Sequence, residues 1–203
     1  MNTPQGYLLV VEDNPDILNL MEATLKFKGY RVVTAHNGLE ALHSIQQEHP
    51  MIVITDIMMP KMDGFSLVHR LRINPETRTI PIVFLTATYV APEDKSFALT
   101  IGATRFIEKP IDIDNFMLTI SELITQGEHL ASEPINSTHF YNEYRKRLEI
   151  KLSHKTSQIT RIEKLLKTVP EEEKQSFTDS LLLAVNEREE IKFLLDQINE
   201  QVE

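Results

Sequence analysis

The 203-residue chain contains no cysteine, which excludes disulfide frameworks, thiolate metal sites and cysteine nucleophiles together. No apolar run approaches the roughly 18 to 20 residues needed to cross a bilayer, and the opening MNTPQGYLLVVEDNPD carries neither a basic leader nor a cleavable apolar stretch. These absences predict a cytoplasmic protein with no membrane partner. Positive charge is also scarce: 21 Lys and Arg stand against 30 Asp and Glu, a formal net charge of −9. Bulk electrostatics therefore argue against nucleic acid as a partner. With 41% hydrophobic and 25% charged residues, the chain is apolar enough to bury a core and to exclude disorder as its main state. At roughly 100 to 200 residues per domain, its length fits one large domain or two small ones.

Short apolar runs alternate with amphipathic stretches until about residue 127. The runs Tyr7–Val11, Arg31–Ala35, Met51–Thr55, Ile80–Leu85 and Thr104–Ile107 are rich in Val, Ile, Leu or Phe and have the length of buried strands. Between and after them, Pro15–Lys28, Gly38–Glu48, Phe65–Ile73, Pro92–Ile101 and Asp112–Gln126 place apolar residues three and four apart, as in Ile17, Leu18, Met21 and Leu25. Five strands alternating with five helices predict a doubly wound α/β domain with a five-stranded parallel sheet and helices on both faces. Continuous rather than alternating hydrophobicity predicts strands covered on both sides.

The sequence divides further into residues 1–126, a polar linker over 127–138 that contains GEHLASEPINST, and a helical part over 139–203. In that last part Tyr141, Tyr144, Leu148, Leu152, Ile159, Ile162, Leu166 and Val169 keep helical spacing, interrupted at Lys155. Phe177, Leu181, Ala184, Ile191, Leu195, Ile198 and Val202 repeat it, interrupted at Arg188. Two helices of about 30 residues, each about 45 Å long, are predicted as a hairpin or coiled coil. Thr168 is a candidate cap of the second, with Glu171 as its capping-box partner and Pro170 in the tolerant first turn.

In an open parallel sheet ligands bind beyond the carboxyl ends of the strands. There the sequence places Glu12-Asp13 after the first strand, Asp56 after the third, Thr86 after the fourth and Lys109 after the fifth. Taken singly, Glu12-Asp13 reads as a helix-capping pair and Asp56 as a turn residue; four such features at four strand ends, in order, read as a site. Converging carboxylates suit a hard cation such as Mg2+. Beside it, an ammonium from Lys109 and a hydroxyl from Thr86 suit the oxygens of a phosphoryl group.

These segments, VVEDNPD, VITDIMMPKMDG, PIVFLTAT and IGATRFIEKP, resemble those of the response-regulator receiver family over about residues 6 to 126. The resemblance implies a flavodoxin-like fold, Asp56 as phosphoacceptor, and a Mg2+ site made by Glu12, Asp13, Asp56 and the backbone carbonyl of Met58. It also implies Thr86 as switch hydroxyl, Phe106 as switch aromatic, Lys109 as phosphate partner, and a cis Lys109-Pro110 peptide. Its implied partner is a sensor histidine kinase or a phosphotransfer protein. The chemistry would be confined to self-phosphorylation from a phosphodonor and autodephosphorylation, so no enzyme acting on other molecules is expected.

From Tyr144 to Lys167 eight basic and two acidic residues give +6, whereas from Thr168 to Glu203 three basic and ten acidic residues give −7. Opposite signs favour pairing of the two helices within a chain or between protomers, and the expectation is a homodimer through the C-terminal helices. This pairing weakens a nucleic-acid reading of Arg145-Lys146-Arg147. Two alternatives stay open: a phosphotransfer role for His154, although Lys155-Thr156-Ser157 departs from the kinase pattern, and a receiver with a coiled-coil connector cut from a larger signalling enzyme.

Overall fold

The computed structural model describes residues 6–86, 92–126, 136–170 and 174–202. They form two compact units, 1–136 and 137–203. In the first, strands β1 (Leu8–Val11), β2 (Val32–Ala35), β3 (Ile52–Asp56), β4 (Ile82–Thr86) and β5 (Arg105–Glu108) alternate with helices α1 (Pro15–Phe27), α2 (Gly38–Gln47), α3 (Gly64–Ile73), α4 (Pro92–Thr100) and α5 (Ile113–Gln126). All strand pairs are parallel, in the order β2-β1-β3-β4-β5. This is the doubly wound flavodoxin-like sheet, with β1 and β3 adjacent at its centre.

Successive side chains on a strand point to opposite faces. Leu8, Val10, Ile52, Ile54, Val83, Leu85 and Ile107 accordingly pack with Leu18, Met21 and Leu25 of α1 and with Phe116, Ile120 and Leu123 of α5. Complete burial stabilises each such side chain by about 1.5 to 3 kcal/mol. On the other face Phe84 meets Phe65 of α3 edge to face at 5.3 Å, and Phe65 meets Phe97 of α4 at the same distance. The central strands β1, β3 and β4 are buried throughout. The edge strands are not: β2 is half-buried and Arg105 and Glu108 of β5 are exposed. Coverage on both sides therefore holds for the centre and fails at the edges, where each strand has one neighbour.

Side-chain caps start the helices that follow the strand ends. Asn14 Oδ1 accepts from the amides of Asp16 and Ile17 with Pro15 in the first turn, Asn37 Oδ1 accepts from Glu40, and Asp63 Oδ1 from Ser66. Each satisfies amide donors that a helix start leaves without partners.

The second unit is a hairpin of α6 (Ser137–Leu166) and α7 (Lys174–Val202), 30 and 29 residues long. Ile159 and Ile162 pack on Ala184, with Leu166, Phe177, Leu181 and Val185 around them. Tyr144, Leu148, Ile191, Leu195 and Ile198 of the two stripes are buried, joined by Phe140 and Leu194 outside the expected pattern. At the interruption in the first stripe, Lys155 Nζ lies 2.6 Å from Glu187 Oε2 of the opposite helix. Thr168 departs from expectation: its hydroxyl donates to the carbonyl of Leu165 and α7 begins at Lys174, so it closes α6 rather than opening α7. Glu171, and residues 127–135 of the expected linker, lie outside the described residues.

Candidate functional site

Because β3 lies between β1 and β4, the residues just beyond those strands meet around Asp56. In register, Val11 pairs with Thr55, Asp56 with Leu85, and Thr86 with Glu108. Glu12, Asp13 and Asp56 each bring a carboxylate oxygen within 4.8 Å of the others. Lys109 reaches them from the far side of β4, its Nζ donating to Glu12 Oε2 at 2.8 Å and to Asp56 Oδ1 at 2.9 Å. The Lys109 amide donates to the Thr86 carbonyl at 2.7 Å, which fixes where that ammonium starts. The Lys109-Pro110 peptide is cis, as the resemblance implies.

One ammonium does not neutralise three carboxylates. Burial raises the pKa of Glu12, and the charge of Asp56 adds to that against the opposing hydrogen bond from Lys109. Asp13 is raised by desolvation and then by Asp56, although its side chain is more open to solvent than that of Glu12. Burial pulls the pKa of Lys109 down, but the charges and hydrogen bonds of Asp56 and Glu12 outweigh it and the net shift is upward. An all-oxygen cluster with surplus negative charge has the donor chemistry that suits a hard divalent cation.

Thr86 is 1% exposed and its Oγ1 has no hydrogen-bond partner among the described residues. A buried hydroxyl without a partner costs roughly 1 to 3 kcal/mol, so this one marks a place where an added acceptor oxygen would be stabilised. Phe106 is half-buried and stacks on Phe84 with ring centroids 6.0 Å apart. Met58 lies two residues past Asp56, and its amide donates to Asp56 Oδ2 at 3.2 Å. His154 is exposed on α6 in the second unit.

Several contributors were not identified from sequence. Asn14 caps α1 while its amide donates to Glu12 Oε1 at 3.3 Å; Asn before Pro was the available signal. Gly64 begins α3 so close to Asp56 that a Cβ there would lie 2.2 Å from the Asp56 carbonyl oxygen. Its place after Asp63 in KMDG suggests a turn but says nothing of that approach. Arg72 is buried, with Nε and Nη2 donating to the Gly102 carbonyl and Nη1 to that of Ile80, a role that no local pattern announces.

The chain is similar to known proteins in sequence and in fold. Relatives include the uncharacterized transcriptional regulatory protein YkoG of Bacillus subtilis, 30% identical over 168 residues, 83% of this chain and 69% of that protein. The response regulator SaeR of Staphylococcus aureus is 30% identical over 134 residues, 66% of this chain and 57% of SaeR. Among solved structures, the chemotaxis response regulator CheY4 of Vibrio cholerae matches with a TM-score of 0.55 and 33% identity, covering 58% of this chain and 98% of its own. The receiver domain of NtrX from Brucella abortus matches with a TM-score of 0.54 and 28% identity, again over 58% and 98%. The model of the response regulator receiver domain matches residues 8–121, the span that carries the sheet and every member of the acidic cluster, and the chain belongs to that family of two-component signalling proteins.

Proposed function

We propose that Asp56 accepts a phosphoryl group and that its phosphorylation controls the C-terminal hairpin. The observation that carries this reading is the convergence of Glu12, Asp13 and Asp56 within 4.8 Å, with Lys109 Nζ bonded to two of them. Glu12, Asp13, Asp56 and the carbonyl of Met58 would hold Mg2+, which when bound supplies positive charge against the phosphoryl oxygens. The rest of the chemistry belongs to the chain. An Asp56 carboxylate oxygen attacks phosphorus as the bond to the donor's phosphoramidate nitrogen or acyl-phosphate oxygen breaks, leaving an acyl phosphate on Asp56. Lys109 and the buried Thr86 hydroxyl stabilise the oxygens gained there. Attack of water on phosphorus later returns the carboxylate and releases inorganic phosphate.

The donor would be a sensor histidine kinase, a phosphotransfer protein or a small acyl phosphate. The readout would pass through residues 139–203 as a dimerisation or partner-docking module joined by the linker to the receiver at 1–126. Phe106, stacked on Phe84, would serve as the switch aromatic. Exposed Ile150, Leu182, Leu183 and Phe193 supply apolar surface outside the hairpin seam for a second copy of the chain. Incubation with acetyl phosphate and Mg2+ should add one phosphoryl group by intact mass. Asp56→Asn should add none, and an equal uptake by that variant would refute the assignment.

A further inference from the structure

The acceptor is also reached by a helix that gives no residue to the acidic cluster. Residues 57–63, between β3 and α3, begin at the acceptor, where the Met58 amide donates to Asp56 Oδ2. They end at Gly64, whose amide donates to the Ile57 carbonyl at 2.9 Å. Within this loop Met62 N–H donates to the Pro60 carbonyl at 2.7 Å, closing a three-residue turn about Lys61. Lys61 stands at φ 65°, the one left-handed non-glycine residue among those described. A side chain rarely occupies that region unless its surroundings hold it there.

The first turn of α2 supplies the holding contacts. Gly38 N–H donates to the Met62 carbonyl at 2.9 Å, and Gly38 lies so close that a Cβ would stand 2.6 Å from Met62 Cγ and 2.9 Å from its carbonyl oxygen. Met62 is 5% exposed. Gly38 is itself fixed by the cap around it: Asn37 Oδ1 accepts from Glu40 N–H, Asn37 Nδ2 donates to Glu40 Oε1, and Glu40 Oε2 accepts from His36 N–H. A Cβ at Gly38 would press on the Met62 carbonyl oxygen, a backbone atom, and not only on a side chain that can swing away. Displacement at Gly38 would therefore move the loop itself.

We infer that Gly38 is a positioning residue for phosphoryl transfer: the first turn of α2 latches the loop at Met62, keeps Lys61 left-handed, and so holds the Met58 amide on the acceptor carboxylate. This inference rests on the reading of Asp56 as phosphoacceptor. It assigns to α2 a role in the reaction that its distance in sequence from Asp56 does not suggest.

The full chain, Gly38→Ala, Lys61→Gly and the double variant are compared with acetyl phosphate and Mg2+. Small misplacement of a reacting group costs rate steeply, so Gly38→Ala should slow phosphorylation at saturating donor by about tenfold. Lys61→Gly serves as the reference for the double variant. The double variant should recover most of the rate of that reference, since glycine enters the left-handed region without the steric cost that the latch offsets. Parent-like rates in folded Gly38→Ala, or a double variant no faster than Gly38→Ala, would overturn the inference. Should Gly38→Ala fail to fold, Asn37→Ala removes the cap that fixes Gly38 without adding an atom; it should slow the reaction in the same way, and a parent-like rate there would overturn the inference. If the parent takes up no phosphoryl group, or Asp56→Asn takes up as much, the acceptor reading fails. The latch is then decided by hydrogen exchange at the Met58 amide, which should speed up in Gly38→Ala and overturns the inference if it does not.

Discussion

Asp13→Asn tests whether the acidic cluster is a cation site, because the substitution should stabilise the protein without metal and destabilise it, relative to the parent, with metal. Carboxylate oxygens within 4.8 Å of one another repel by about 0.9 kcal/mol in a water-like dielectric and by about 3.5 kcal/mol at an effective dielectric of about 20. Asp13 is exposed, so the solvent-screened end applies and roughly 1 kcal/mol should be relieved. At neutral pH that corresponds to a Tm about 2 to 4 °C higher in chelator. The sign follows from linkage. Glu12 and Asp13 both have raised pKa values, so the folded chain binds more protons than the unfolded chain around and above the ordinary carboxylate value of about 4. Their contribution to stability is complete below the unfolded pKa and is lost as pH rises through the folded pKa. A ligand that binds only the folded state reverses this loss, by about 2.7 kcal/mol at a hundredfold excess over its Kd. Differential scanning calorimetry of parent and variant, with EDTA and across a Mg2+ series at pH 7, separates the two effects. The parent should gain several degrees with Mg2+, while Asp13→Asn should start higher and gain little. A variant that starts lower in EDTA, or one with the full Mg2+ response of the parent, would refute the reasoning.

Two further outcomes concern the hairpin. Leu148→Asp and Leu195→Asp place a carboxylate at seam positions 1% and 9% exposed; each should cost about 3 kcal/mol or more and lower the helical melting followed by circular dichroism, and an unchanged transition would show that this seam does not hold the helices together. If the exposed apolar residues of α6 and α7 mate with a second copy, sedimentation should show a dimer at micromolar concentration and a Tm that rises with protein concentration, whereas a monomer at high micromolar concentration with and without acetyl phosphate would exclude it.

Much of this architecture was legible locally. A strand covered on both sides must be apolar at every position, and a helix lying on a sheet must be apolar at every third or fourth; in all ten elements of the first unit the sequence therefore announced the type, with bounds shifted by one or two residues. The convergence of Glu12, Asp13, Asp56 and Lys109 was legible because a parallel sheet brings its carboxyl strand ends together. The edge strands were misjudged as fully covered, since Val32 and Val33 look the same in sequence whether or not a neighbour lies on each side. Thr168 was misplaced because a hydroxyl near a helix boundary can accept from the next helix or donate to the last one, and Lys155 read as a gap in a stripe although Glu187 fills it.

What tertiary structure alone decided is pairing across long separations. Lys109 Nζ meets Glu12 at 97 residues' distance along the chain and Asp56 at 53, and Arg72 finds the Gly102 carbonyl 30 residues away. A residue's period and neighbours specify which face it presents, because backbone geometry is local. Which group stands opposite depends on strand order and register, and these are set only when the whole sheet closes around its core.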